Sequence, residues 1–97
     1  MRFAGVDIAS QTHVAAVTTE AGEILVKPTS FGEDAPGYEK VFALLGPPTD
    51  ILVAMEATGH YGRNLFAALC ARGHEVALLN PIRTRRFAQE DLRRAKS

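Results

Sequence analysis

A chain of 97 residues with 46% hydrophobic and 23% charged side chains and zero formal net charge has room for one domain with one core, and is too apolar to be disordered by default. No apolar run approaches membrane-spanning length, and Met1-Arg2-Phe3 leads straight into a strand and not a signal peptide, so a soluble, cytoplasmic protein is expected. Cys70 is the single cysteine, which excludes an internal disulfide framework, argues against thiolate metal sites and predicts a buried, inert thiol.

Phe3 to Ile8 predicts a short strand in which Asp7 is flanked by Val6 and Ile8 on the opposite face. A carboxylate there calls for a reason, and the plainest is that it bonds backbone in the Ala9-Ser10-Gln11-Thr12 turn. His13 to Thr18 predicts a second strand, antiparallel to the first because the connection is tight. Glu20-Ala21-Gly22 supplies a hairpin loop, and Glu23 to Thr29 forms a third strand whose Pro28 suits a sheet edge. Asp34-Ala35-Pro36 opens a helix, with Asp as cap; Tyr38, Val41, Phe42 and Leu45 follow at helical spacing and Gly46-Pro47-Pro48 closes it.

Ile51 to Met55 is an apolar run too short for an ordinary helix, and reads as a strand buried on both faces that ends on Glu56. Thr58 is placed to cap a helix from about Gly59 to Arg72. Gly73 leads into a strand from Glu75 to Leu79, Asn80-Pro81 ends it, and Ile82 to Lys96 predicts a last helix with a weak apolar stripe. Strand, helix, strand implies a right-handed crossover and parallel pairing. The expected fold is α/β: a mixed five-stranded sheet flanked by helices, as one domain over residues 1–97. With the first strand central and the Ile51 strand parallel beside it, Asp7 and Glu56 meet at the carboxyl ends of neighbouring strands, where open sheets form their ligand crevice.

Two adjacent carboxylates repel, and burying them is costly unless a cation neutralises the pair. Their hard oxygens suit Mg²⁺ or Mn²⁺ and not zinc. Two such ions about 3.5 to 4 Å apart can clamp the attacking and leaving oxygens of a phosphodiester, so the outline is that of a nuclease-type site. His13, His60 and His74 lack the spacing of a metal cluster and read as surface or hydrogen-bonded structural groups, although His60, close to Glu56, could reach a phosphate. Tyr61 reads as packing between helix and sheet. Residues 83–97 hold six basic side chains against Glu90 and Asp91, whereas residues 1–82 hold five basic against nine acidic. The basic tail is either a solvated helix face or a footprint for phosphates, with Arg83, Arg85 and Arg86 nearest the crevice.

Gly5-Val6-Asp7-Ile8-Ala9-Ser10, Met55-Glu56-Ala57-Thr58-Gly59-His60-Tyr61 and Asn80-Pro81-Ile82-Arg83-Thr84-Arg85-Arg86-Phe87-Ala88, in that order, resemble the N-terminal domain of the DEDD transposases of bacterial insertion sequences, a family that includes the Piv-type DNA invertases. The resemblance implies a RuvC-like, ribonuclease H-like fold acting on DNA phosphodiesters with divalent metal, Mg²⁺ or Mn²⁺. It maps the first Asp of the family's acidic tetrad to Asp7 and the Glu to Glu56, as catalytic and metal-binding residues. The Asp-x-x-Asp pair that completes the tetrad in the family is not in this sequence, nor is the family's larger C-terminal domain with its serine nucleophile. The chain therefore reads as a RuvC-like catalytic-domain fragment, inactive by itself. DNA is the implied partner, held by Arg83, Arg85, Arg86 and His60, with a guide RNA in the full-length protein and a homo-oligomer as further candidates.

Two other classes share features of the sequence. Sugar kinases and actin-like ATPases also begin with a strand ending in Asp-x-Gly and a phosphate-cradling hairpin, but Ala9 stands where that Gly would be and would block the close backbone approach. A non-catalytic assembly module is the other alternative. Nucleotide binding would favour the first, DNA binding the recombinase reading, and neither the second.

Overall fold

The computed structural model describes residues 1–56 and 61–79. Five strands and two helices are found among them, in the order β1 (Arg2–Asp7), β2 (Thr12–Thr18), β3 (Ile24–Gly32), α1 (Ala35–Leu45), β4 (Ile51–Glu56), α2 (Arg63–Ala71) and β5 (Glu75–Leu79). The last predicted helix, Ile82 to Lys96, lies outside the described residues. Period-two alternation fixes which face of each strand turns inward: Ala4 and Val6, with Ile8 just beyond the strand, on β1; His13, Ala15 and Val17 on β2; Ile51, Val53 and Met55 on β4. The apolar side chains among these share one core with Val41 and Leu45 of α1 and Leu65 and Leu69 of α2, so both helices cover the same face of the sheet.

The sheet order is β3-β2-β1-β4-β5, with β1 central. β1 and β2 are antiparallel, as are β2 and β3, whereas β4 runs parallel to β1 and β5 parallel to β4. This is the mixed five-stranded α/β sheet expected from the sequence, consistent with a ribonuclease H-like fold. β3 is an edge strand, the position Pro28 requires, but it continues past Pro28 to Gly32, with register shifts near Val17 that mark a bulge.

Helix α1 is held at both ends. Asp34 caps it, its Oδ1 accepting from the Gly37 N–H at 2.7 Å, and Gly46 at φ 71° donates its N–H to the Phe42 carbonyl. The Arg2 guanidinium donates to the carbonyls of Leu45 (2.7 Å), Pro47 (3.1 Å) and Thr49 (3.2 Å). A cation thus satisfies acceptors at and just beyond the helix C-terminus and ties them to β1. At the other end the helix sits directly on the backbone of β3. A Cβ built on Gly37 would lie 2.0 Å from the Gly32 carbonyl oxygen, so the docking depends on glycine.

Several expectations are corrected. α2 begins at Arg63, not near Gly59, because its N-cap Gly62 takes φ 88°, a left-handed conformation outside the helix, and Thr58 lies outside the described residues. β4 is buried on one face: Leu52, Ala54 and Glu56 are half-buried, since both described helices cover the opposite face. Cys70 is exposed, being one residue, and so about 100°, round α2 from the inward Leu69. Tyr61 is 45% exposed and not enclosed between helix and sheet. Among the described residues no helix is long and apolar enough to cross a membrane.

His13 is buried and hydrogen-bonded. His74 is buried with neither ring nitrogen bonded, so it is neither the surface group nor the hydrogen-bonded one expected. Burial, followed by repulsion from Arg72 and Arg2, pushes the His74 pKa below the ordinary 6.5.

Two predictions follow from the packing. Gly37→Ala forces a backbone clash and should cost about 2 kcal/mol or more, whereas Gly5→Ala, whose Cβ would meet nothing within 4 Å, should change little; equal urea midpoints for the two variants would contradict the docking. His74 binds its proton more weakly when folded than when unfolded, so stability is greatest above pH 6.5 and falls as the pH drops from 6.5 toward the lower folded-state value. In urea melts across that window His74→Phe should lose this part of the slope, and an unchanged slope would show that His74 does not carry it.

Candidate functional site

The parallel register of β1 and β4 pairs Val6 with Met55. One residue further along, Asp7 and Glu56 stand side by side at the carboxyl ends of their strands, on strands about 4.8 Å apart. Both take the phase opposite to the inward Val6 and Met55, so they share the face that the described helices leave uncovered. Asp7 is exposed and Glu56 half-buried. Asp7 also pairs with Val14, Val14 with Ser30, and Glu56 with Leu79. The two carboxylates therefore form the centre of one row that crosses the whole sheet.

The connection after Asp7 is built from the residues that flank it. One donor of the turn is taken elsewhere than by Asp7: the Ala9 N–H donates to His13 Nδ1 at 3.1 Å. His13 lies 1% exposed, and its Nε2 contacts Glu33 Oε1 at 2.9 Å. The Tyr38 hydroxyl donates to the other Glu33 oxygen, and the Glu33 N–H donates to the Gln11 carbonyl at 2.9 Å. Burial would raise the Glu33 carboxyl, but hydrogen bonds from Tyr38 and His13, the attraction of His13 and a hydrogen bond from Asn64 outweigh it, and the group titrates below 4.5. The Tyr38 hydroxyl is pushed well above its usual 10.0, by burial first and then by the Glu33 carboxylate.

Glu56 itself lines a groove of about 160 Å³ together with Met55, Tyr61, Gly62, Arg63, Phe66 and Leu78. Gly62 closes tightly on the ends of β1 and β4, since a Cβ there would meet Ile8 and Met55 at 3.3 Å. His60, Arg83, Arg85 and Arg86 lie outside the described residues. Glu33, Tyr38 and Arg63 were missed in the sequence as neighbours of the site. The inward phase of His13 among Ala15 and Val17 signals that it must find a partner, but nothing local in the sequence points to Glu33, twenty residues away.

The donor set defines what these residues can hold. Two neighbouring carboxylates offer hard oxygen ligands, and Mg²⁺ is commonly bound by one or two carboxylates with water completing the shell. No group of three or more His, Cys, Asp or Glu suited to a metal ion is found among the described residues; by its donor chemistry the pair itself fits a hydrated ion.

The described residues thus form a mixed α/β sheet with two carboxylates at neighbouring strand ends, and sequence comparison supplies the family. The family profile of the IS110-type DEDD transposases, described as transposase, matches residues 4–97. The chain belongs to this transposase family, whose general function is DNA transposition. No curated protein matches the chain.

Proposed function

We propose that this chain is a RuvC-like domain that binds DNA and holds a divalent cation, Mg²⁺ or Mn²⁺, between Asp7 and Glu56 for chemistry on phosphodiesters. The observation that carries the reading is the adjacency of the two carboxylates on one face at one end of the sheet. Like charges this close favour a cation between them. Such an ion, when bound, polarises a phosphoryl oxygen and lowers the pKa of a bound water. The contribution of this chain is to set the oxygen donors and to bring phosphate to them. Asp7 and Glu56 supply the donors, while Arg83, Arg85, Arg86 and His60 hold the backbone of the DNA, in contacts that position without reading sequence. Two carboxylates leave most of the coordination to water, so the chain alone binds DNA and does not cut it; a guide RNA and assembly into a homo-oligomer belong to the same proposal as features of the full-length protein.

The test is a fluorescence anisotropy titration of the chain with branched and duplex DNA across salt concentrations, with and without Mn²⁺. Mn²⁺ should tighten binding of the wild type by cancelling carboxylate repulsion of the phosphates, and should have no such effect on an Asp7→Asn, Glu56→Gln variant. An Arg83→Ala, Arg85→Ala, Arg86→Ala variant should lose up to roughly 0.9 of salt slope per phosphate contact removed. A response to Mn²⁺ that survives loss of both carboxylates would remove the metal pair from the proposal, and an unchanged salt slope would remove the arginines.

A further inference from the structure

The His13 ring is an expensive way to fill a core position. It is 1% exposed and stands in the inward phase of β2 beside Ala15 and Val17, where an apolar side chain would pack without a polar group to satisfy. What the ring offers that an apolar side chain lacks is an acceptor. The Ala9 N–H donates to Nδ1 at 3.1 Å, so Nδ1 carries the lone pair, and Nε2 carries the hydrogen that it donates to Glu33 Oε1 at 2.9 Å. Glu33 is held in turn by the Tyr38 hydroxyl, and its own N–H grips the Gln11 carbonyl at 2.9 Å. The connection that follows Asp7 is thus fastened at its second residue, Ala9, by His13 and at its fourth, Gln11, by Glu33, and the two fasteners are bonded to each other.

We infer that His13 is a positioning residue for the Asp7 carboxylate, acting through the Ala9 N–H rather than by touching metal or DNA. Ile8, the one residue between Asp7 and Ala9, is buried against Gly62. The backbone on the C-terminal side of Asp7 is therefore set by two consecutive anchors, one apolar and one polar. Without the second, the connection bordering Asp7 can move while the strand pairing of β1 persists. The consequence for metal rests on the reading of Asp7 and Glu56 as a metal pair; the contact to Ala9 does not.

The side-chain amides separate the two ends of the ring. In His13→Asn the amide oxygen stands near the place of Nδ1 and can accept from Ala9, but it does not reach Glu33. In His13→Gln the amide reaches toward Glu33 and leaves Ala9 without its acceptor. Two readouts on the whole chain decide the matter: amide hydrogen exchange at Ala9 by NMR, and paramagnetic broadening at Asp7 and Glu56 on titration with Mn²⁺. His13→Asn should keep Ala9 protection and Mn²⁺ half-saturation within about twofold of wild type, whereas His13→Gln should lose about tenfold in Ala9 protection, the worth of one hydrogen bond, and bind Mn²⁺ several-fold more weakly. A merely structural His13 predicts that both variants lose protection and Mn²⁺ binding together, in proportion to their fall in melting temperature, and that result would overturn the inference. So would a His13→Gln protein that matches wild type in both. Failure of the wild type to respond to Mn²⁺ would remove the metal consequence together with the proposed function, while Ala9 exchange would still decide the contact. Should neither variant fold, the imidazole ¹⁵N spectrum of the wild type decides: hydrogen on Nε2 and a bonded lone pair on Nδ1 support the inference, and hydrogen on Nδ1 overturns it.

Discussion

Parallel pairing of β1 with β4 is the constraint on which the rest of the structure depends, because it sets two like charges side by side. Register runs from Arg2 opposite Ile51 to Val6 opposite Met55, and the next pair along is Asp7 and Glu56. Hydrophobic burial of Ala4, Val6, Val53 and Met55 drives this pairing and has no regard for the charges at its end. A one-residue slip of either strand would send its whole apolar set to the wrong face. The same packing that stabilises the core therefore brings the two strand-end carboxylates to neighbouring positions, Asp7 exposed and Glu56 half-buried on the uncovered face.

Several features serve to keep that pair of strand ends in place. Arg2 gathers three carbonyls at and beyond the end of α1 and so fixes the amino end of β1. Gly37 lets α1 lie on the backbone of β3. Gly62 brings the start of α2 against Ile8 and Met55, directly behind the carboxylates. Tyr38, Glu33 and His13 then carry the position of α1 across to the connection after Asp7. Rigid elements thus position two strand-end carboxylates, which is how a fold pre-organises a proposed site.

Strand order was legible in the sequence because it follows from short-range facts. The tight connection between Asp7 and His13 forces an antiparallel pair, and the helix from Ala35 to Leu45 forces a parallel return. The cap at Asp34 and the stop at Gly46 were legible for the same reason, since each is written in neighbouring residues. What could not be read depended on three-dimensional neighbours. The start of α2 is decided by the left-handed Gly62 pressed on Ile8 and Met55, the exposure of Cys70 by the phase of Leu65 and Leu69, and the half-exposure of Leu52 and Ala54 by both helices choosing one face. Asp7 and Glu56 could be singled out as apolar runs ending in a carboxylate. The support of Asp7 by His13 and Glu33 could not, because its members are separated by the β2–β3 hairpin.

The claim that these carboxylates share one ion is tested most directly by crystals of the chain grown with Mn²⁺ and measured at a wavelength where manganese scatters anomalously. The account predicts an anomalous peak between Asp7 and Glu56, with carboxylate oxygens of both at about 2.0 to 2.3 Å and water filling the remaining positions. An empty map at that place with Mn²⁺ present at saturating concentration, or a peak bonded to one carboxylate with the other turned away, would contradict it.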